Sequence, residues 1–292
     1  MAIVTPAASL GDERSTPRSN PSSPYGEPSR RYETVNLYAS GATTAIELNR
    51  PGRMNAWNEQ LGEDLLDAVR TVGGDPAVRA VLITGTGAAF SSGADLKARG
   101  EAVASGTIDS QRVLTEVYNP IIMGIRRMAK PVVAAVNGPA VGIGLSLALA
   151  CDLVVAAESA YFLLAFSRIG LVPDGGSSMF AAERVGFTRA AQMALLAEPV
   201  PARQAVDWGL INYAWPDEEF PGQAQALAQR LADGPTRAYA GIKRELNEWL
   251  LGKADSQLEL EARTQQEMFS TSDAKEGVTA FLEKRAPRFT GA

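Results

Sequence analysis

The chain has 292 residues, is 46% hydrophobic and 21% charged, and carries a formal net charge of −5. That size and composition suit a soluble globular protein of one large domain with at most a small appendage, and the mild acidity argues against a nucleic-acid surface. There is no histidine and one cysteine, Cys151, which excludes Ser-His-Asp and Cys-His catalysis, intrachain disulfides and most transition-metal sites. Acid/base work must therefore come from Asp, Glu, Lys, Tyr or Cys. No apolar run approaches the ~18 residues of a membrane span, and the N-terminus lacks a basic-then-apolar leader. The expectation is a cytoplasmic protein with no membrane partner.

Residues 1–30 hold five prolines and six serines and read as a disordered tail. TVNLYAS and ATTAIELN then predict a hairpin, Glu59 to Val72 an amphipathic helix, and AVRAVLITG a buried strand. Asp95 to Gly106 reads as a helix or ordered loop. Ile108 to Met128 reads as one long helix, with Val113, Val117, Ile121, Ile122 and Ile125 on its apolar face. Val132 to Val136 is a buried strand. After Gly176 helices dominate: Ser178 to Val185, Thr188 to Leu196, Ala202 to Trp208, Phe220 to Leu231, Thr236 to Leu251, Asp255 to Met268 and Ser272 to Lys284. One short strand is expected over Leu210 to Tyr213. The class is α/β, with a strand-rich core over 31–230 and a helical region suited to subunit packing over 231–292. The four tryptophans, Trp57, Trp208, Trp215 and Trp249, read as packing residues.

Two glycine loops follow predicted strands. In the first, AAFSSGADLK, Gly93 permits close backbone approach and leaves the Ala94 N–H to donate. In the second, Gly142-Ile143-Gly144 opens a run of small apolar residues, so a helix starting there presents free N–H groups, the Ile143 N–H among them. Two such donors would make an oxyanion hole. Neither loop fits GxxxxGK[ST] or GxGxxG, so nucleotide phosphates are not indicated. About thirty residues on, Asp174 sits between Pro173 and two glycines. It is the candidate acid/base, or else a turn residue capping the next helix.

LNRPGRMNAW, AFSSGADLK, NGPAVGIGLSLALACD and AFSRIGLVPDGG, in that order, resemble the crotonase (enoyl-CoA hydratase/isomerase) superfamily from about Val35 to Phe289. The resemblance implies a spiral of ββα units, a helical C-terminal trimerisation region, and a trimer or dimer of trimers. It implies an acyl-CoA thioester substrate and no cofactor beyond that coenzyme A moiety. Residue by residue, it makes Ala94 and Ile143 the oxyanion donors, the second where the family usually has glycine. Asn55, Ala56 and the backbone of Asp95, Leu96 and Lys97 match CoA-contacting positions. Phe281 and Lys284 match residues reaching CoA from the last helix, of the same or a neighbouring subunit. Cys151 and Asp152 match a structural pair in the core.

The chain departs from the family's hydratases, which use two glutamates to activate and deliver water. Those positions hold Ser146 and Phe166 here. Ser146 is then a ligand for a substrate hydroxyl or a simple filler, and Phe166 helps shape the acyl pocket. Asp174 remains, and resembles the aspartate of enoyl- and dienoyl-CoA isomerases. The first expectation is a Δ3-to-Δ2-enoyl-CoA isomerase. The alternatives are a ring-1,2-epoxyphenylacetyl-CoA isomerase, a hydratase-like enzyme of unusual mechanism, another aspartate-dependent CoA-thioester reaction such as dehalogenation, and a non-catalytic CoA-binding member.

Overall fold

The computed structural model describes residues 24–105 and 107–292. The expected tail lies outside the described residues as far as residue 23. From Pro24 onward the chain lies on the sheet, with the Tyr25 ring 5.6 Å from that of Tyr38. The structured part thus begins before residue 30, because an aromatic partner holds this segment down.

β1 (Arg30–Arg31) leads into the expected hairpin, β2 (Val35–Ser40) and β3 (Thr43–Leu48). Helix α1 (Glu59–Gly74) starts at Asn58, whose side chain accepts from the Leu61 N–H at 3.0 Å. Its buried face carries Leu61, Leu65, Ala68, Val69 and Val72. β4 (Ala80–Gly85), α2 (Leu96–Ser105), α3 (Ser110–Val113) and α4 (Asn119–Arg127) follow. Then come β5 (Val132–Val136), β6 (Ala140–Val141), α5 (Ile143–Ala150), β7 (Leu153–Ala157) and β8 (Tyr161–Leu163). Beyond Asp174 lie α6 (Ser177–Leu196), β9 (Val200–Pro201), α7 (Ala202–Asp207) and β10 (Tyr213–Trp215). The helices α8 (Phe220–Asp233), α9 (Thr236–Leu251), α10 (Ala254–Phe269) and α11 (Ser272–Leu282) end the chain.

The main sheet has seven strands in the order β1-β2-β3-β4-β5-β7-β10, antiparallel through the hairpin and parallel from β3 onward. Parallel strands covered on both faces read as continuous apolar runs, and the two faces account for the run VVAAV. Val132, Ala134 and Val136 join the larger core with α1, α4 and α5, whereas Val133 and Ala135 meet Phe220, Ala224 and Ala228 of α8. A second, three-stranded sheet, β6-β8-β9, sits beside the first. Its strands of two or three residues are too short for any periodicity to announce them.

Three expectations need correction. The long helix over 108–128 is interrupted: Leu114–Tyr118 forms a π-helical turn, and the Asn119 N–H reaches back five residues to the Leu114 carbonyl. Pro120, the next residue, has no N–H to continue the usual ladder, so the wider turn forms before it. The short strand is β10 rather than Leu210 to Tyr213. Leu210 and Ile211 are drawn into the core, and Asn212 begins the pairing, its N–H donating to Val154 O and its Oδ1 accepting from Val154 N–H, both at 2.8 Å. Trp249 does not pack: it is 86% exposed on the outer face of α9. The two helices expected on either side of Gly186 are found: α6 is broken at that residue, which stands outside the helical region at φ 72° and ψ 166°.

Candidate active site

The site is assembled where β6 delivers the chain to α5. Ser91 and the 139–141 segment are zipped together: Ser91 N–H donates to Pro139 O at 3.0 Å and Val141 N–H to Ser91 O at 2.9 Å. Gly93, at φ 92°, lies so close that an added Cβ would stand 3.0 Å from Val141 O and 3.9 Å from Gly142 Cα. The two glycine loops are therefore neighbours in space. Across from them Trp57 brackets Ala94, its N–H donating to Gly93 O at 2.8 Å and its carbonyl accepting from Asp95 N–H at 2.9 Å. That pairing turns the Ala94 N–H away from Trp57, and no backbone acceptor for it or for the Ile143 N–H is found among the described residues. Helix α5 is buried at all eight positions, so its first turn offers its N–H groups in a water-poor setting where such donors are strong.

Asp174 lies on the loop facing that turn. It is buried, and its Oδ2 accepts from Gln265 Nε2 of α10 at 3.1 Å. The loop is pressed onto α5: a Cβ on Gly175 (φ 60°) would meet Ile143 Cδ1 at 2.5 Å and Ser146 Cβ at 3.0 Å. Ser146, fully buried, donates to the Asp174 carbonyl at 2.8 Å. The turn role and the side-chain role of Asp174 are divided between its atoms. Its carbonyl accepts from Ser177 N–H at 3.2 Å and Ser177 Oγ at 2.9 Å, while its carboxylate points to α10. Phe166 is buried beside α5, its ring 3.7 Å from where a Gly142 Cβ would be. Ala94, Ile143, Ser146, Phe166 and Asp174 thus come together in one place.

The residues matched to CoA contacts have diverse settings. Asn55 is buried and saturated by the fold: Nδ2 donates to Thr86 O at 3.0 Å and Ala89 O at 2.8 Å, and Oδ1 accepts from Arg50 N–H at 2.8 Å. Its side chain shapes the loop. The Ala56 carbonyl accepts from the Arg50 guanidinium, which also pairs with Asp95 Oδ2 at 3.2 Å. Asp95 Oδ1 accepts from Ala98 N–H at 3.3 Å at the start of α2. Leu96 is half-buried and Lys97 exposed on that helix. Phe281 and Lys284 are exposed at the end of α11, which packs on α2 of its own chain: a Cβ on Gly100 would lie 3.1 Å from Leu282 Cδ1.

Two neighbours of Asp174 were not foreseen, Gln265 and Glu261. Glu261 is buried, and its carboxyl is pushed up to about 7, chiefly by burial, with the Asp174 charge adding a smaller part. The signal was present in the sequence. Both fall in register with Leu258, Ala262 and Phe269 on the buried stripe of α10, where polar residues ask for a reason. Cys151 is inert by comparison, buried and pushed up to about 12 by burial first and then by Asp152. Asp152 accepts from Lys243 Nζ at 2.7 Å, Arg126 at 3.4 Å and the Val132 N–H at 2.8 Å, fixing the start of β5.

A family profile described as enoyl-CoA hydratase/isomerase matches residues 39–292. The chain belongs to that family, within the crotonase superfamily. It is 44% identical over 260 residues to a probable enoyl-CoA hydratase of Rhodobacter capsulatus, covering 89% of this chain and 99% of that one. It is 39% identical over 259 residues to the 1,2-epoxyphenylacetyl-CoA isomerase of Escherichia coli, with the same coverage of 89% and 99%. A solved enoyl-CoA hydratase from Mycobacterium avium subsp. paratuberculosis superposes with a TM-score of 0.79 at 37% identity, covering 89% of this chain and 100% of that one. Among the described residues no helix is long and apolar enough to cross a membrane.

Proposed function

We propose that this member of the family is an acyl-CoA isomerase that moves a double bond from Δ3 to Δ2. The observation that carries the reading is the position of Asp174, a buried carboxylate on the loop packed against the first turn of α5. Ser146 and Phe166 stand where the family's hydratases hold glutamates. Hydration needs one group to take a proton from water and another to protonate the α-carbon. Isomerisation needs one proton removed at C2 and one returned at C4, which a single carboxylate between the two carbons can do. The thioester oxygen, between the Ala94 and Ile143 N–H groups, takes the charge of the dienolate in between, a contribution typically worth ~10²–10³ in rate per donor. The electron pair of the C2–H bond ends as the new C2–C3 π bond, while the old C3–C4 π pair forms the C4–H bond as the proton returns, so no redox partner or cofactor beyond the coenzyme A moiety is required.

The remainder of the reading follows from the same family. The CoA end of the substrate is expected near Asn55, Ala56 and the backbone of Asp95, Leu96 and Lys97 at the start of α2, with Lys284 as a phosphate partner and Phe281 beside it. Subunits are expected to join as a trimer or dimer of trimers. In support, α9 exposes Ile242, Leu246 and Trp249 at 52, 53 and 86%, one face at helical spacing. The protein is expected to act in the cytoplasm. A second reading, isomerisation of a ring-1,2-epoxyphenylacetyl-CoA, is favoured by the 39% identity to the E. coli isomerase.

Turnover of 3-enoyl-CoA esters by wild type and Asp174→Asn in D2O tests the proposal. Conjugated 2-enoyl-CoA with incorporated deuterium, and a loss of ~10³-fold or more in the variant, is the expected result. Binding of the esters without turnover by either protein refutes the aliphatic reading and moves the test to the ring epoxide. Failure there too leaves a non-catalytic CoA-binding member.

A further inference from the structure

The buried stripe of α10 carries two polar side chains where apolar ones are due. A buried amide or carboxyl is costly unless its hydrogen bonds are made, so the partners of Gln265 and Glu261 say what they serve. Gln265 spends both ends of its amide on one loop. Nε2 donates to Asp174 Oδ2 at 3.1 Å, and Oε1 accepts from the Val172 N–H at 3.2 Å. This orientation is dictated by chemistry: the Val172 N–H can only donate, so Oε1 must face it and the NH2 group is left for the carboxylate. Glu261 grips the same loop further on. Its Oε2 accepts from Gly176 N–H at 2.7 Å, and its Oε1 accepts from the Ser178 N–H at 3.3 Å and from the Ser178 hydroxyl. Gln257, one turn earlier on α10, donates to Ser178 Oγ at 2.9 Å. From the opposite side α5 presents Ser146 and Ile143, neither of which titrates. The ionisable group that faces this loop from α10 is Glu261.

We propose that Gln265 is a positioning residue for Asp174: it fixes the carboxylate's rotamer and favours its ionised form, while Glu261 holds the loop beneath it. The proposal rests on Asp174 being the acid/base. A donor aimed at a carboxylate stabilises the charged form. A carboxylate serving two carbons must also be held in place, since a misplacement of about 1 Å can cost on the order of 10²-fold. The acid/base site is thereby built from two distant parts of the chain, the loop after β8 and the next-to-last helix.

The test uses the full-length protein and two substitutions. Gln265→Leu removes both hydrogen bonds. Gln265→Glu keeps an acceptor for the Val172 N–H but, once ionised, has no donor for Asp174. Both are expected to lose ~10–100-fold in kcat on 3-enoyl-CoA with KM within about twofold, and in both the acid limb of kcat/KM moves to higher pH. Wild-type kcat and pH profile in Gln265→Leu would overturn the proposal, because neither bond would then matter. The 13C carboxyl resonance of Asp174, assigned by its absence in Asp174→Asn, separates this inference from the functional reading. Titration at higher pH in Gln265→Leu, with turnover indifferent to Asp174→Asn, upholds the control of Asp174 by Gln265 and refutes the isomerase. An unchanged titration refutes the control itself.

Discussion

Replacing Glu261 by glutamine should change how stability depends on pH. The folded protein holds this carboxyl at about 7 against an ordinary value of 4.5, mainly because it is buried. A raised carboxyl binds its proton more tightly in the folded state than in the unfolded chain. Its contribution to stability is therefore fully present below pH ~4.5 and is lost as pH rises through ~7. The displacement corresponds to ~3 kcal/mol in all, of which about 2–3 kcal/mol falls between pH 5 and 8. Little discount for solvent is due, since Glu261 is only 5% exposed. Glutamine keeps one acceptor for the Gly176 and Ser178 N–H groups and cannot ionise, so its own cost is a constant offset. Urea unfolding of both proteins at pH 5, 6, 7 and 8 reads the difference directly, and titrations common to both cancel. Wild type should lose ~2 kcal/mol or more relative to Glu261→Gln across that range. Parallel stability curves would refute the reasoning and mean that water or a rearranged loop reaches the carboxyl.

Other outcomes follow from the same contacts. Gly175→Ala sets a Cβ 2.5 Å from Ile143 Cδ1 at a positive φ of 60°, so denaturant titration should show a loss on the order of 2–3 kcal/mol, and kcat should fall as the Asp174 loop is pushed off α5. Lys243→Met removes the 2.7 Å partner of Asp152 and leaves it Arg126 at 3.4 Å and the Val132 N–H, so the same titration should register a loss of ~2–3 kcal/mol. Cys151, buried and pushed up to about 12, should resist a thiol reagent at pH 8 in the native protein and react once urea is added; prompt native labelling would contradict its burial.

The parts of the fold that were legible are those where local pattern and final environment agree. The β2–β3 hairpin, α1 and β5 each carry a periodicity set by one core, and each appears where the pattern puts it. The π turn at Leu114–Tyr118 was not legible, because apolar spacing reports which face is buried and not whether one residue has been added to the ladder. Leu210 and Ile211 look like strand residues because they are buried, yet they are buried by side-chain packing ahead of the pairing that Asn212 begins. Trp249 was misread for the converse reason. Its apolar character was read as packing, whereas the structure leaves that face of α9 outside this chain's own core.

The candidate site divides along the same line. Ala94, Ile143 and Asp174 could be singled out as candidates because each has a glycine beside it, and a glycine that must be glycine marks a close approach: Gly93 against Val141 O, Gly175 against Ile143. Such constraints are local and are written into short motifs. Gln265 lies 91 residues from Asp174, and no local rule links the two. What could have drawn attention to it is an inconsistency, a glutamine and a glutamate spaced four apart in the apolar stripe of α10. Burying them is unfavourable for α10 taken alone. It becomes favourable only when the Val172 N–H, the Asp174 carboxylate and the Gly176 N–H arrive as partners, and those groups exist in that arrangement only after the loop has closed onto α5. The reason for residues 261 and 265 therefore lies in the loop, and the reason for the loop's rigidity lies in α10, so neither half of the site explains itself without the other.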